Sequence, residues 1–375
     1  METLDVVEVE NAAQLKQFII FPNELYRDDP NYVTPLYAER KEFFDKKANP
    51  FYKAATTRLF LAVRNGQVLG RIATCINYRH NEFHEDQTGF FGFFDTVDDY
   101  DVARVLLKVA MITLKKAGMD RMRGPMNFST NHEVGFLVEG YDSPPVVMMT
   151  YNQPYQVELA EKFGLKKSMD LLAYYIERED GVPERIQKVV DKLRERSKIT
   201  VRPINMKDFD AELARVKQVY DKGWEKNWGF VPMDEAEFEH MAGNMKQIVD
   251  PRIVLIAEHE GEPIGFTLAL PNINQALIRL NGKLLPFGLL RLLWHTKVRN
   301  KIDSTRLVMF GVVPRFQKRG VDAMMFVEVF RRGEEAGYKW AETSWTLETN
   351  ELMHRSLMEM GARVYKRYRI MDLPL

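Results

Sequence analysis

The chain of 375 residues has one cysteine, Cys75. It therefore supports neither an internal disulfide nor a cysteine-ligated metal cluster, and a reducing, cytoplasmic setting is expected. An excess of one charge is also missing: 53 Lys and Arg face 53 Asp and Glu. With no global field to draw the chain to a polyanion, a nucleic-acid partner is not expected. No apolar run approaches the ~20 residues that cross a bilayer. The first residues, METLDVVEVENAAQLKQF, are acidic and lack the apolar core of a signal peptide. What is present is the composition of a soluble globular protein, 45% hydrophobic and 28% charged. At this length two domains are expected rather than one core.

The most informative stretch is Val308–Ala323, VMFGVVPRFQKRGVDA. Leu307–Val313 is apolar and predicts a buried strand, which Pro314 stops. Gln317-Lys318-Arg319-Gly320 follows, and then an apolar-periodic helix from Val321 to Phe330. In such a strand–turn–helix, free backbone N–H groups at the helix start face an anion. Gly320 allows close approach, and Lys318 and Arg319 add positive charge, so a diphosphate suits the turn.

Earlier in the chain, residues 4–10 predict a strand and Ala12–Phe18 a short helix, followed by a loop, FPNELYRDDPNYVTPL. Asn65-Gly66 lies between Leu59–Val63 and Val68–Asn77 and signals a hairpin. Phe90–Phe94 predicts a strand and Val102–Ala117 a helix closed by Gly118. An irregular polar stretch, GPMNFSTNHEVGFLVEGYDSPP, precedes a strand at Val146–Tyr151, a helix at Gln153–Phe163 and a strand at Ser168–Ile176. Charged residues 177–198 predict a helical linker. From 199 the order is strand, two helices, a hairpin around Glu260-Gly261, strand, helix 321–336, strand Trp340–Leu347, helix Asn350–Met360 and strand Arg363–Met371.

These features resemble the GNAT-type N-acyltransferases, whose acyl-CoA pyrophosphate loop reads Q/R-x-x-G-x-G/A. Gln317 and Gly320 match it; the last position is Asp322, with Ala323 one place late. The element order from 199, the hairpin AEHEGEPIGFTLAL and the closing Asn350…Leu357…Gly361-Ala362 are similar to the same family. The first half repeats the plan: FLAVRNGQVLGRIATCIN parallels 253–270, and Phe163-Gly164-Leu165 parallels Met360-Gly361-Ala362. Where the second half has QKRG, the first has Asp95-Thr96-Val97-Asp98-Asp99-Tyr100-Asp101. Those carboxylates suit a helix dipole but repel a diphosphate. The resemblance implies an α/β (α+β) chain of tandem GNAT-like domains, each a mixed central sheet flanked by helices. Residues 1–176 would be a degenerate GNAT-like domain, 177–198 a linker, and 199–375 the GNAT domain with the acyl-CoA site. The chain is similar, too, to a bacterial group of two-domain proteins with GNAT-like relatives that acylate sphingoid bases in ceramide synthesis.

The implied reaction is acyl transfer from acetyl-CoA or a longer acyl-CoA to a primary amine, with no metal. The backbone at Val312 and Val313 would pair with the pantetheine arm. Gln317, Lys318, Arg319, Gly320, Val321 and Asp322 would hold the pyrophosphate, and Asn350 would lie near the thioester. The tyrosine acid of the family would fall at Leu357 or Met358 and is missing; Tyr365 and Tyr368 are the replacements considered. Glu342, sharing a strand face with Ser344, is a candidate base, and so is His132 in Ser129-Thr130-Asn131-His132-Glu133, with Asn131 beside it on a substrate cleft. Trp224 and Trp228 fall on the acceptor side. Each also has a plainer reading: a salt-bridged glutamate, a capping loop, core aromatics. His80 and His84 have helical metal-ligand spacing but no third ligand nearby.

Segment 271–304 is an apolar-basic insertion. GKLLPFGLLRLLWHTKVRNK joins Leu, Phe and Trp294 to five Lys and Arg. It reads as a wall for a long chain, as an interfacial helix touching the inner membrane through 283–301, or as a helix packed on the first domain. Three functions stay open: an N-acyltransferase for a small-molecule or lipid amine, including a long-chain sphingoid-type amine; a small-molecule N-acetyltransferase; and a non-catalytic acyl-CoA-binding or scaffold protein.

Overall fold

The computed structural model describes residues 4–177, 181–225, 227–280 and 302–375. In chain order it forms β1 (Leu4–Glu8), α1 (Ala12–Leu25), α2 (Tyr37–Phe43), β2 (Ala55–Arg64), β3 (Gln67–Asn77), α3 (Tyr78–His84), β4 (Thr88–Thr96) and α4 (Tyr100–Lys116). Short strands β5 (Arg121–Gly124), β6 (Met126–Asn127), β7 (Glu133–Val134) and β8 (Phe136–Glu139) lead to α5 (Pro154–Phe163) and β9 (Lys166–Glu177). Then come α6 (Glu184–Arg196), β10 (Ile199–Pro203), α7 (Phe209–Gly223), α8 (Glu235–Lys246), β11 (Val254–His259), β12 (Glu262–Pro271) and α9 (Asn274–Leu277). The chain closes with β13 (Ser304–Val312), α10 (Val321–Glu335), β14 (Trp340–Leu347), α11 (Glu351–Glu359) and β15 (Arg363–Pro374).

The two hairpins form for the same reason. Asn65 and Gly66 take φ 53° and 77°, and Glu260 and Gly261 take 53° and 87°. Both central residues are left-handed, as a two-residue turn matched to strand twist requires. Both hairpins also carry an extra residue at the same distance from the turn. Ala62 pairs with Gly70 and Val63 with Val68, which leaves Leu69 over; Ala257 pairs with Gly265 and Glu258 with Pro263, which leaves Ile264 over. A shared bulge at a shared offset is a structural repeat.

The chain divides into two compact units. Unit 1 holds 4–171, 276–280 and 366–375; unit 2 holds 172–275 and 302–365. In unit 1 the strands run β1-β2-β3-β4-β5-β15, with β4 and β5 parallel. Helix α4 covers the core built from Phe60, Ile72, Phe91, Leu106, Leu114 and Met371. In unit 2 the order is β10-β11-β12-β13-β14, with β13 and β14 parallel. One side carries Leu307, Phe326, Phe330 and Leu357, joined by Tyr174 of β9; the other carries Tyr220, Phe238, Ile256 and Phe266. Each unit is thus a mixed sheet flanked by helices.

The compact units do not follow the halves 1–176 and 199–375, because the last strand pairs back. Met371 stands against Gly124 and Asp372 against Arg123. The buried Arg123 guanidinium donates to both oxygens of Asp372 at 2.8 Å. Arg369 grips the buried Asp170 from the same strand at 2.8 and 3.0 Å.

This explains one local difference. Val146–Tyr151, expected as a strand, is irregular: the place beside β5 is taken by β15. Val146, Val147 and Met149 are buried as a turn, with Met148 at φ 59°. The first helix is also longer than expected. An Asn11–Gln14 capping box starts α1, which runs through Pro22 to Leu25. Of the 271–304 insertion, residues 281–301 lie outside the described residues.

Removing Asp372 leaves the Arg123 guanidinium buried without its carboxylate. Asp372→Ala is expected to cost about 3 kcal/mol of stability, whereas Ser168→Ala, which removes one hydroxyl donor to Asp372, costs about 1 kcal/mol or less. Urea unfolding checks this, and equal costs would refute the role given to the pair.

Candidate active site

At the end of β13 the chain turns at Pro314 and buries Phe316 against the His259 ring, centroids 5.1 Å apart. Gln317 Nε2 donates back to Val312 O at 3.0 Å, which ties the loop to the strand. Val313 gives its own N–H to Ile264 O. Lys318 (φ 60°) and Gly320 (φ 78°) are both left-handed. Helix α10 then starts with no side-chain cap. Among the described residues, the N–H groups of residues 318–323 meet no backbone acceptor. Lys318 and Arg319 are exposed beside them. The arrangement sets amides without backbone acceptors at the positive end of a helix, a geometry that favours an anion. Asp322 lies in the first turn of that helix.

Unit 1 treats the same junction differently. Eight residues, 313–320, separate β13 from α10, but only three, 97–99, separate β4 from α4. The start of α4 is capped by Asp99, whose Oδ1 accepts from Asp101 N at 2.9 Å, and Arg64 pairs with that carboxylate.

A second contrast lies between the parallel strands. In unit 2, β13 and β14 pair from Ser304↔Trp340 to Leu307↔Thr343 and no further. At that level β13 carries an extra residue against β12: Leu268 faces Met309 and Ala269 faces Leu307, which leaves Val308 over. Such a bulge bends its strand, and 308–312 and 344–347 run on as the two edges of a slot. In unit 1, β4 and β5 part after Phe90↔Arg123, but the chain itself fills the space. A Cβ on Gly92 would overlap Met126 O, and one on Gly124 would overlap Phe91 O. The bulged Phe93 N–H, at φ 47°, donates to Asn127 Oδ1 at 2.7 Å.

Just before the slot opens, Glu342 sits fully buried opposite Arg306. Ser344 Oγ and Tyr365 Oη donate to its two carboxylate oxygens. Arg306, itself buried, donates from Nε to Ser344 Oγ at 2.9 Å. Glu342 is therefore no surface glutamate: it belongs to a buried polar network with a base-capable carboxylate at its centre.

The other sequence candidates are dispersed. Of the two tyrosines, Tyr365 meets Glu342; Tyr368 lies fully buried in unit 1, opposite Leu137. His132 is in unit 1, edge-on to Phe43 and Phe51, with Nδ1 3.1 Å from Ser129 Oγ. Asn131 N donates to the same hydroxyl. Asn350 caps α11 by accepting from Met353 N. Trp228 lies half-buried in the turn after α7. Trp224 lies flat on β13, where a Cβ on Gly311 would overlap its ring. Trp294 is outside the described residues. Arg306 and the pair formed by Tyr174 Oη and His354 Nδ1, 2.6 Å apart, escaped the sequence reading. For His354 the available signal was its place four residues after Asn350, one turn along the same helix face.

His80 and His84 fall on α3, which Asn77 caps. Their rings are 4.4 Å apart. Among the described residues no group of three His, Cys, Asp or Glu could hold a metal ion, and no helix is long and apolar enough to cross a membrane.

A bulged central strand that splays from its parallel neighbour marks the GNAT fold and is present in both units, whereas the uncapped loop belongs to unit 2. A solved tandem GNAT protein from the clavulanic acid biosynthesis pathway superposes on 99% of this chain and 98% of its own, with TM-score 0.60 at 12% identity. No protein-family model matches. Protein YghO of Escherichia coli (strain K12) is 37% identical over 371 residues, 96% of this chain and 93% of that protein. The bacterial ceramide synthase of Caulobacter vibrioides is 37% identical over 377 residues, 99% of this chain and 98% of that protein. The chain belongs to the family of bacterial proteins that contains these two, and its fold is that of the tandem GNAT protein.

Burial is the main force holding the His80 imidazole down to a pKa of about 4, with His84 second. Its folded value is thus below the ordinary one of about 6.5. Stability from this site is complete above pH 6.5, falls as the unfolded chain takes up a proton, and is lost by about pH 4. His80→Asn should flatten the melting-temperature profile across that window; an unchanged slope would show that His80 does not set it.

Proposed function

We propose that the protein is an acyl-CoA-dependent N-acyltransferase with its working site in the 199–375 repeat, the 1–176 repeat being degenerate. The observation that supports this most is the pairing, at one end of β13, of an open slot with an uncapped anion loop. Together they fit a long thread with a diphosphate at one end. The amides of 318–323, with Lys318 and Arg319, would hold the diphosphate, and the strand edges 308–312 and 344–347 would line the pantetheine arm. Acyl-CoA supplies the activated acyl thioester; deprotonation of the amine falls to the protein. Glu342 is the group assigned to take the ammonium proton, directly or through a water. Arg306 and Ser344 fix one side of that carboxylate and Tyr365 the other, within reach of the rung where the slot begins. Glu342 is preferred to His132 because it stands at the slot, and Tyr365 to Tyr368 because it touches Glu342.

For the acceptor we propose a long-chain primary amine of the sphingoid type. A relative 37% identical is a bacterial ceramide synthase, and residues 283–301 combine Leu, Phe and Trp294 with a basic fringe. Each buried methylene of such a chain contributes about 0.8 kcal/mol, and the basic fringe suits an anionic membrane surface where such amines reside.

Two variants test the site. Glu342→Gln should lower kcat for acyl transfer about 10²- to 10³-fold with CoA affinity retained, read by calorimetry and mass spectrometry of products. Arg319→Glu should weaken CoA binding while the melting temperature holds. Wild type that binds no acyl-CoA, from acetyl to palmitoyl, would end the enzyme reading. Acylation of polyamines or amino acids while sphingoid bases are ignored would end the lipid reading.

A further inference from the structure

The helix that joins the two repeats reaches the anion loop. Along α6, Ile186, Val190 and Leu193 recur at helical spacing and enter one apolar cluster with Phe316, Val321 and Met324. Phe316 belongs to the loop and Val321 is the first residue of α10. Leu193 goes further: a Cβ on Gly320 would overlap Leu193 Cδ1. The leucine thus fills the space that a side chain at 320 would need, and lies on the loop backbone. One residue on, Arg194 pairs with the buried Glu328 of α10 at 2.9 Å, two turns past the loop. Glu328 also accepts from Arg331 at 2.6 Å and Arg332 at 2.7 Å, so the strap ends on a fixed carboxylate.

Lys318 and Gly320 are both left-handed, and a lysine leaves that conformation unless its surroundings hold it. Gln317 fixes the loop at its β13 end. At the α10 end Gly320 O accepts from Met324 N at 3.0 Å, and the side chain packed where its Cβ would stand is Leu193. We propose that α6 is part of the acyl-CoA site, with Leu193 as a positioning residue that holds 318–320 in the run that turns the amides of 318–323 outward. This rests on the reading of that loop as the diphosphate site. Affinity for CoA then depends on a residue of the connector.

The test uses the full chain with CoA itself as the probe. Leu193→Ala should raise the CoA dissociation constant about tenfold, or about 1.4 kcal/mol, and speed hydrogen exchange at the amides of 318–323. In acyl-transfer assays KM for acyl-CoA should rise by the same factor with kcat within about twofold of wild type. Leu193→Met, which keeps the volume, should behave as wild type. Gly320→Ala should weaken binding, both because a side chain is strained at its left-handed φ of 78° and because the new Cβ meets Leu193. Wild-type CoA affinity and unchanged loop exchange in Leu193→Ala, whatever its melting temperature, would overturn the proposal. If wild type binds no CoA, the diphosphate reading fails by itself, and exchange alone judges Leu193: faster exchange retains its hold on the loop, unchanged exchange removes it.

Discussion

The candidate site in unit 2 depends on one mismatch in a ladder. Val308 is an extra residue on β13 with no counterpart on β12, and the parallel pairing with β14 stops at the rung just before it. A regular β13 would stay paired, and there would be no slot. The bulge bends the strand away while leaving it held along β12 as far as Val312. The edge that results is rigid on one side and open on the other, which suits the backbone of an extended ligand. Glu342 owes its position to the same break, since it lies one rung before the strands part.

The two repeats show how little separates an open slot from a closed one. Both keep the bulged hairpin and the parallel pair that splays. In unit 1 the glycines at 92 and 124 admit the chain's own backbone, and the Asn127 amide oxygen meets the bulged N–H of Phe93. A side-chain amide there satisfies a donor that would otherwise be left buried. The rung that carries Glu342 in unit 2 corresponds to the rung of Arg123 in unit 1, six residues back from the last rung of each central strand. There the charge is reversed and committed to Asp372. The same scaffold thus serves once as a lined opening and once as packed core.

Much of this was legible in the sequence because it is local. Asn65-Gly66 and Glu260-Gly261 fix two turns by backbone conformation alone, and the alternation in Trp340–Leu347 places Glu342 and Ser344 on one face. Non-local facts were out of reach. Tyr365 and Tyr368 are three residues apart on one strand, so they face opposite ways, and only the register says which of them meets Glu342. Arg306 sits next to an apolar run and shows no sign of its partner Ser344, 38 residues on. The helix at 78–84 carries no apolar stripe, and its cap at Asn77 is the one local signal. That β15 returns to β5 is set by pairing between residues some 250 apart, which no periodicity encodes.

That return has a consequence for how the molecule is made. On a ribosome, unit 1 is translated almost whole before unit 2 begins, yet β5 waits for a partner that lies within the last ten residues of the chain. The N-terminal half must emerge with an unsatisfied strand edge and with Arg123 lacking its carboxylate, and hold that state while about 200 further residues are made. Folding is then completed backwards, the first-born unit closing last, as expected of a topology with high contact order.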